Sequence, residues 1–328
     1  MTVLVTGGAG YIGSHMVLRL ADAGEAVVVL DNLTTGFDWS IDQRATFVQG
    51  NAGDMELVGR IVAEHKIDAI VHFAGSIVVP ESVADPLKYY ANNTATSRNL
   101  IEAAVKAGVK HFIFSSTSAV YGSAGLEPVG EENRLAPESP YGRSKMMTEM
   151  MLADVAAAHP MTYGVLRYFN VAGADPKQRS GQSSPTASHL IKVALLAALG
   201  RRADVGIFGT DFPTPDGTGV RDYIHVTDLV EAHALLLQYL RGGGKSTTMN
   251  CGYGRGYSVR QVIDTVKAVS GVDFKVVEEP RRAGDPASVV AKSDRVRQVL
   301  GWQPAHDDLT EIVEAAMSWE RYLATRNR

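Results

Sequence analysis

Short runs of β-branched and apolar residues alternate with longer stretches of helical period through the first half of the chain. Val3–Thr6, Ala26–Leu30, Thr46–Gln49, Ala69–Phe73, His111–Ser115 and Tyr163–Phe169 predict strands, and their near-continuous apolar character predicts burial on both faces. Between them, 11–23, 54–65, 83–107 and 141–158 have the period and length of crossover helices. Strands and helices in this alternation predict an α/β fold: a Rossmann-type, doubly wound parallel sheet.

The texture changes after Asn170. Gly173–Ser188 and Gly209–Gly219 are rich in Gly, Ser and Pro, as loops are. Later segments predict helices at 189–199, 226–240, 258–270, 293–300 and 309–323, and short strands near 205–208, 247–250 and 274–277. The expected division is a nucleotide-binding domain over 1–170 and a smaller, mixed α/β substrate lobe over 171–328, with room for the chain to exchange between them.

Composition narrows the classes. The 328 residues are 45% hydrophobic and 21% charged, with a formal net charge of −4, which suits a globular protein and excludes collagen, coiled coil and disorder. The mild acidity offers no footprint for a nucleic-acid backbone. The single cysteine, Cys251, rules out a disulfide scaffold and suits a reducing cytoplasm. Met1–Thr6 runs into glycine without a basic leader, and no window approaches 18 uninterrupted apolar residues, so neither a signal peptide nor a membrane span is expected. The histidines are scattered without helical i, i+4 pairing, and no metal site is expected.

Chemistry enters at the first turn. Gly7, Gly10 and Gly13 lie between the first strand and the first helix, where missing side chains let backbone approach a pyrophosphate at a helix N-terminus. Asp31 ends the second strand, placed to accept from an adenosine ribose and to repel a 2′-phosphate. No Lys or Arg stands between Asp31 and Arg44, so the dinucleotide favoured is NAD over NADP.

A second constellation concerns protons. Tyr141 and Lys145 are four residues apart at a helix start and share one face. A phenol titrates near pH 10 in water, roughly, and an adjacent ammonium, joined by a positive nicotinamide ring, would bring it toward neutrality as a base. Upstream, Ser115, Ser116 and Thr117 end a strand with hydroxyls, at the edge where open α/β sheets bind ligands. Thr117 is the candidate to bridge substrate and Tyr141.

Together the glycine loop, Asp31, the strand-end hydroxyls and Tyr141-Gly142-Arg143-Ser144-Lys145 resemble the extended short-chain dehydrogenase/reductase family. His72-Phe73-Ala74-Gly75, Arg167-Tyr168-Phe169-Asn170 and Asp216 to Val226 narrow the likeness to its sugar-nucleotide epimerases, from residue 2 to about Trp302. The resemblance implies NAD-dependent inversion at C4 of a UDP-hexose through a 4-keto sugar, with Tyr141 as base, Thr117 as proton relay and Lys145 on the nicotinamide ribose. It implies NAD contacts from Tyr11, Ile12, Asp31, Asn32, Phe73, Asn93, Ser115 and Tyr168. Asn170, His189, Phe208, Arg221, Arg282 and Asp285 fall where the family holds the UDP-sugar. The methionines of the catalytic helix, Met146, Met147, Met150 and Met151, are expected to pack against neighbours, with a dimer contact through that helix as the alternative; the resemblance implies a homodimer formed through paired helices.

Departures from that pattern are Asn51 in place of an adenine-contacting aspartate, Ile77 in place of a lysine, Thr117 for serine and His189 for asparagine. Val289 stands where some relatives have a bulky tyrosine, which leaves space for an N-acetyl group and extends the expected substrates to UDP-GlcNAc and UDP-GalNAc. Two alternatives stand beside this reading. A 4,6-dehydratase would need carboxylates after the strand-end threonine, where Ser118 and Ala119 stand. A non-catalytic NAD-binding scaffold would not need Thr117, Tyr141 and Lys145 together.

Overall fold

The computed structural model describes residues 1–184, 189–282 and 284–326. The strands in chain order are β1 (Thr2–Thr6), β2 (Ala26–Asp31), β3 (Thr46–Gln49), β4 (Ile67–His72), β5 (His111–Thr117), β6 (Thr162–Tyr168), β7 (Asn170–Ala172), β8 (Val205–Phe208), β9 (Val220–His225), β10 (Thr247–Cys251), β11 (Gly256–Ser258), β12 (Val276–Glu279) and β13 (Ser288–Val289). The helices are α1 (Tyr11–Asp22), α2 (Met55–His65), α3 (Val79–Ala84), α4 (Pro86–Tyr89), α5 (Thr96–Lys106), α6 (Pro140–Ala158), α7 (Leu190–Ala198), α8 (Val226–Arg241), α9 (Val259–Ser270), α10 (Asp294–Leu300) and α11 (Leu309–Arg326).

Seven parallel strands form the central sheet in the order β10-β6-β5-β4-β1-β2-β3. Period-two alternation explains why it is covered twice. Val3, Val5, Val27, Val29, Val71, Ile113 and Leu166 enter one core with residues of α1 and α8, whereas Leu4, Val28, Leu30, Ile70, Phe112, Phe114 and Val165 enter the other with residues of α2 and α5. Phe112 is fully enclosed, and truncating such a side chain to alanine costs about 3–5 kcal/mol. β3 departs from the expectation: as the edge strand its residues are only partly buried or exposed, because it has a neighbour on one side alone.

Strand order reverses between β1 and β4, which opens a crevice at their C-terminal ends. The chain also returns to the first unit, since β10 pairs with β6 in parallel and α8 packs on α1. The rest of the second half forms a small sheet, β11-β9-β13 with β7 on β9, and a β12-β8 pair.

The expected helix over 83–107 is broken. Pro86 opens α4, with Asp85 accepting from Lys88 N at 3.2 Å as its cap, and Tyr90–Ala95 widen into a π-helical segment before α5. A proline cannot donate within a helix but fits its first turn, so the segment restarts there. Strands β7, β9, β11 and β13 were not expected, and the strand near 274–277 lies at Val276–Glu279. Of the Gly- and Ser-rich stretch after 172, residues 185–188 lie outside the described part.

Candidate active site

The glycine loop lies in the crevice. A Cβ on Gly13 would come 2.1 Å from the Gly7 carbonyl, so only glycine lets α1 start this close to β1. Gly10 caps α1 without a side-chain hydrogen bond, and no acidic residue lies in the first turn. Tyr11 and Ile12 thus open a helix whose N–H groups and positive dipole end are available to an anion. The Tyr11 hydroxyl donates to Gly173 O at 2.7 Å, tying this turn to the second half of the chain.

Asp31 is buried at the end of β2, where its carboxylate accepts from Ala9 N at 3.0 Å and Leu33 N at 2.8 Å. A carboxylate has about four lone-pair sites, so two remain for ribose hydroxyls. Asn32 is exposed and accepts from the Thr34 backbone at 3.0 Å. The first cation downstream, Arg44, pairs with Asp42 and Asp22 at 2.8 and 2.7 Å and so is already engaged. This donor set suits a dinucleotide with a free 2′-hydroxyl. Asn51 is exposed and accepts from Gly53 N at 2.7 Å, and Ile77 is also exposed.

Ser139 and Pro140 set the start of α6. The Ser139 hydroxyl accepts from Gly142 N at 3.1 Å, a cap of the kind worth about 1 kcal/mol, and Pro140 occupies the first turn. A Cβ on Gly142 would lie 2.6 Å from Ala119 O, so the missing side chain brings α6 against the turn after Thr117. Tyr141 is thereby placed in the first helical turn with its ring edge-on to Tyr89, at 6.4 Å between centroids.

The Tyr141 phenol is pushed above its usual value by burial, and the Thr117 hydroxyl facing it acts in the opposite sense. Within the chain, the strand-end hydroxyl is the group that favours the phenolate against that burial. Lys145 is buried and lowered to about 8 by loss of water, with Glu149 acting to raise it. Its Nζ donates to Ser115 O at 3.0 Å and lies 4.8 Å from the Phe114 ring centroid.

Around this pair the strand ends converge. Ser115 Oγ and the Tyr168 hydroxyl are 2.5 Å apart, joining β5 to β6. Phe73 follows β4, with its ring 5.0 Å from that of His233. Asn93, inside the π-helical segment, accepts from Ser76 N at 2.8 Å and donates to Ser144 Oγ of α6 at 3.0 Å.

The second half contributes in two places. Arg221 and Asp285 are joined by an Nη2–Oδ1 hydrogen bond of 3.1 Å, and Arg282 lies 3.6 Å above the Phe208 ring centroid. Val289 of β13 is in register with Arg221 of β9, and Asn170 opens β7 half-buried. His189 precedes α7 as an exposed residue, beside a cavity of about 30 Å³ that Tyr11, Lys192 and Glu320 also line.

Two groups here were not singled out from sequence. His233 lies against Phe73 and Tyr168 and carries no linear signal. Glu149 had one: Tyr141, Lys145 and Glu149 are spaced four apart and share a helix face.

The geometry agrees with what the chain is similar to. A UDP-glucose 4-epimerase of Azospirillum brasilense is 55% identical over 98% of this chain and 92% of that protein. The crystal structure of UDP-glucose 4-epimerase from Brucella ovis in complex with NAD is 40% identical and covers 97% of each chain with a TM-score of 0.94. The UDP-Glc/GlcNAc 4-epimerase from Campylobacter jejuni is 46% identical, covering 98% of this chain and 99% of its own, with a TM-score of 0.86. Residues 3–252 match the profile described as the NAD dependent epimerase/dehydratase family, and the chain belongs to that family.

Proposed function

We propose that the protein is a UDP-glucose 4-epimerase, interconverting UDP-glucose and UDP-galactose with NAD held at the glycine loop and Asp31. The observation that carries this reading is the Thr117 hydroxyl facing the buried Tyr141 phenol at the end of β5, one helical turn before Lys145. The first turn of α6 favours negative charge, and Thr117 hydrogen-bonds the phenolate form. Tyr141 takes the proton of the C4 hydroxyl, Thr117 passing or orienting it, and returns it at the end. When bound, NAD supplies the hydride acceptor, the later donor and a positive ring, so the sugar passes through a 4-keto form with no net redox change. Arg221 and Arg282 grip the diphosphate while the sugar turns its other face, as planar guanidinium forks suit that group.

Ser118 and Ala119 follow Thr117 and cannot supply the acid and base a 4,6-dehydratase needs. A wider substrate range is supported by the small Val289 beside Arg221 and by the Campylobacter relative's name, and we extend the proposal to UDP-GlcNAc and UDP-GalNAc. Incubating the NAD-containing protein with UDP-galactose and, separately, with UDP-GalNAc tests both. Formation of the C4 epimers is expected, and a 6-deoxy-4-keto product or no product from UDP-galactose overturns the reading.

We further propose a cytoplasmic homodimer. No described helix is long and apolar enough to cross a membrane, and Cys251 is a free buried thiol. On α6, Met147 and Met150 face outward with exposures of 37% and 57%, and Val83 and Leu87 lie exposed on neighbouring α3 and α4. These residues form the apolar surface a second copy would cover. Light scattering at micromolar concentration should give twice the chain mass, and Met150→Glu should return it to one.

A further inference from the structure

Glu149 lies two turns beyond Tyr141 and one beyond Lys145 on the same face of α6, with 7% of its side chain exposed. Its carboxylate is held by two side chains. Ser116 Oγ of β5 donates to it, and Arg167 of β6 meets it with Nε at 3.1 Å and Nη2 at 2.6 Å. Arg167 in turn donates from Nη1 to the Tyr121 hydroxyl at 2.9 Å, and that hydroxyl donates to Asn250 of β10 at 2.7 Å. A chain of buried polar groups thus runs from the catalytic helix to the edge strand that the second half contributes.

We propose that Glu149, clamped by Ser116 and Arg167, is a positioning residue that keeps Lys145 charged and fixes the face of α6 from which Tyr141 and Lys145 project. The inference rests on the roles given to Tyr141 and Lys145 above. A buried ammonium whose one fixed hydrogen bond is to a carbonyl is costly in low dielectric and needs a nearby anion. The other ionisable groups near the Tyr141–Lys145 pair do not supply one. Burial keeps His72 on β4 neutral, lowered to about 3, and burial also raises Tyr141 on α6, Tyr168 on β6 and Tyr89 on α4. Arg167 is a cation. Glu149 remains as the negative charge, and a pair fixed by three hydrogen bonds resists drifting toward Lys145 to form a closed ion pair.

The test is a lysine side-chain NMR titration of the NAD-containing protein, with Lys145 identified by its missing signal in Lys145→Arg. In Glu149→Gln the Lys145 midpoint should fall by about one pH unit, which is about tenfold more neutral amine at a fixed pH. In Arg167→Gln it should rise, because a positive neighbour is lost, and in Arg167→Lys it should stay. A structural prop alone would not move the midpoint in opposite directions. An unmoved midpoint in Glu149→Gln, or the same direction in both neutral variants, overturns the proposal. Should Glu149→Gln fail to fold, Arg167→Gln decides by the sign of its shift. Shifts as stated in a protein that leaves UDP-galactose unchanged would remove the proposed reaction and keep this role, whereas turnover without shifts would remove this role alone.

Discussion

Arg221 on β9 and Asp285 ahead of β13 meet through a 3.1 Å hydrogen bond, so a guanidinium suited to a diphosphate is already aimed by a carboxylate of the same lobe. The pair is half-buried, with 17% and 35% of the two side chains exposed. A second donor of Arg221 reaches its neighbour's carbonyl, Val220 O, at 2.9 Å. The fork is therefore oriented before a ligand arrives, and less rotamer entropy is lost on binding.

Removing the aim should cost less than removing the charge. Asp285→Ala is expected to raise KM for UDP-galactose by about fivefold, the scale of a partly exposed ion pair. Arg221→Ala should raise it by about a hundredfold, the scale of charge-assisted hydrogen bonds. Steady-state kinetics at saturating and limiting substrate separate these from changes in kcat. Unchanged KM in both variants would place the diphosphate elsewhere.

Cofactor choice is expected to follow from Asp31. Its charge repels a 2′-phosphate, and its two backbone hydrogen bonds hold the loop that follows β2. Asp31→Asn keeps an acceptor for one of those N–H groups and removes the repulsion. The affinity for NADP relative to NAD is expected to rise at least about tenfold, as one opposed charge pair near 4–6 Å is worth a unit or more. Competitive displacement of bound NAD by NADP, followed by chromatography of the released nucleotide, reads the ratio.

Acid should destabilise the fold well before carboxylates titrate. Burial lowers His15 to about 4, His72 to about 3, His225 to about 3 and His233 to about 4. Below pH about 6.5 the unfolded chain binds protons that these folded imidazoles refuse, so stability rises with pH across that window and is lost as pH falls. At pH 5 each costs about 2 kcal/mol. Asp222, raised to about 6 by burial, acts the other way, since its folded carboxyl binds a proton first. Four sites against one predict a Tm that drops steadily from pH 7 to pH 5 in thermal melts. A flat or rising Tm would contradict it.

Local signals carried the nucleotide-binding half. The glycines at 7, 10 and 13, Asp31 at a strand end and the strand-end hydroxyls are short-range features, and the elements around them lie within a residue or two of expectation. What escaped was set by distant partners. Strands β7, β9, β11 and β13 run two to six residues and exist because each finds β9 or is β9 itself, and no window of sequence shows that. Likewise the burial that raises the Tyr141 phenol is set by packing, which spacing does not reveal. The break at Pro86 was different: Asp85 followed by proline is a cap written in sequence, overridden by the apolar period around it.

The proposed reaction turns on one oxygen. Tyr141→Phe should leave the fold and the bound NAD intact, because the ring still packs against Tyr89 and the proposed cofactor contacts belong mostly to other residues. Conversion of UDP-galactose to UDP-glucose by this variant, measured alongside its NAD content, is expected to fall by about 10²–10⁴-fold with NAD retained, the range for a lost general base. A rate within a few fold of the parent's, with NAD present, would contradict Tyr141 as the base and with it the proposed mechanism.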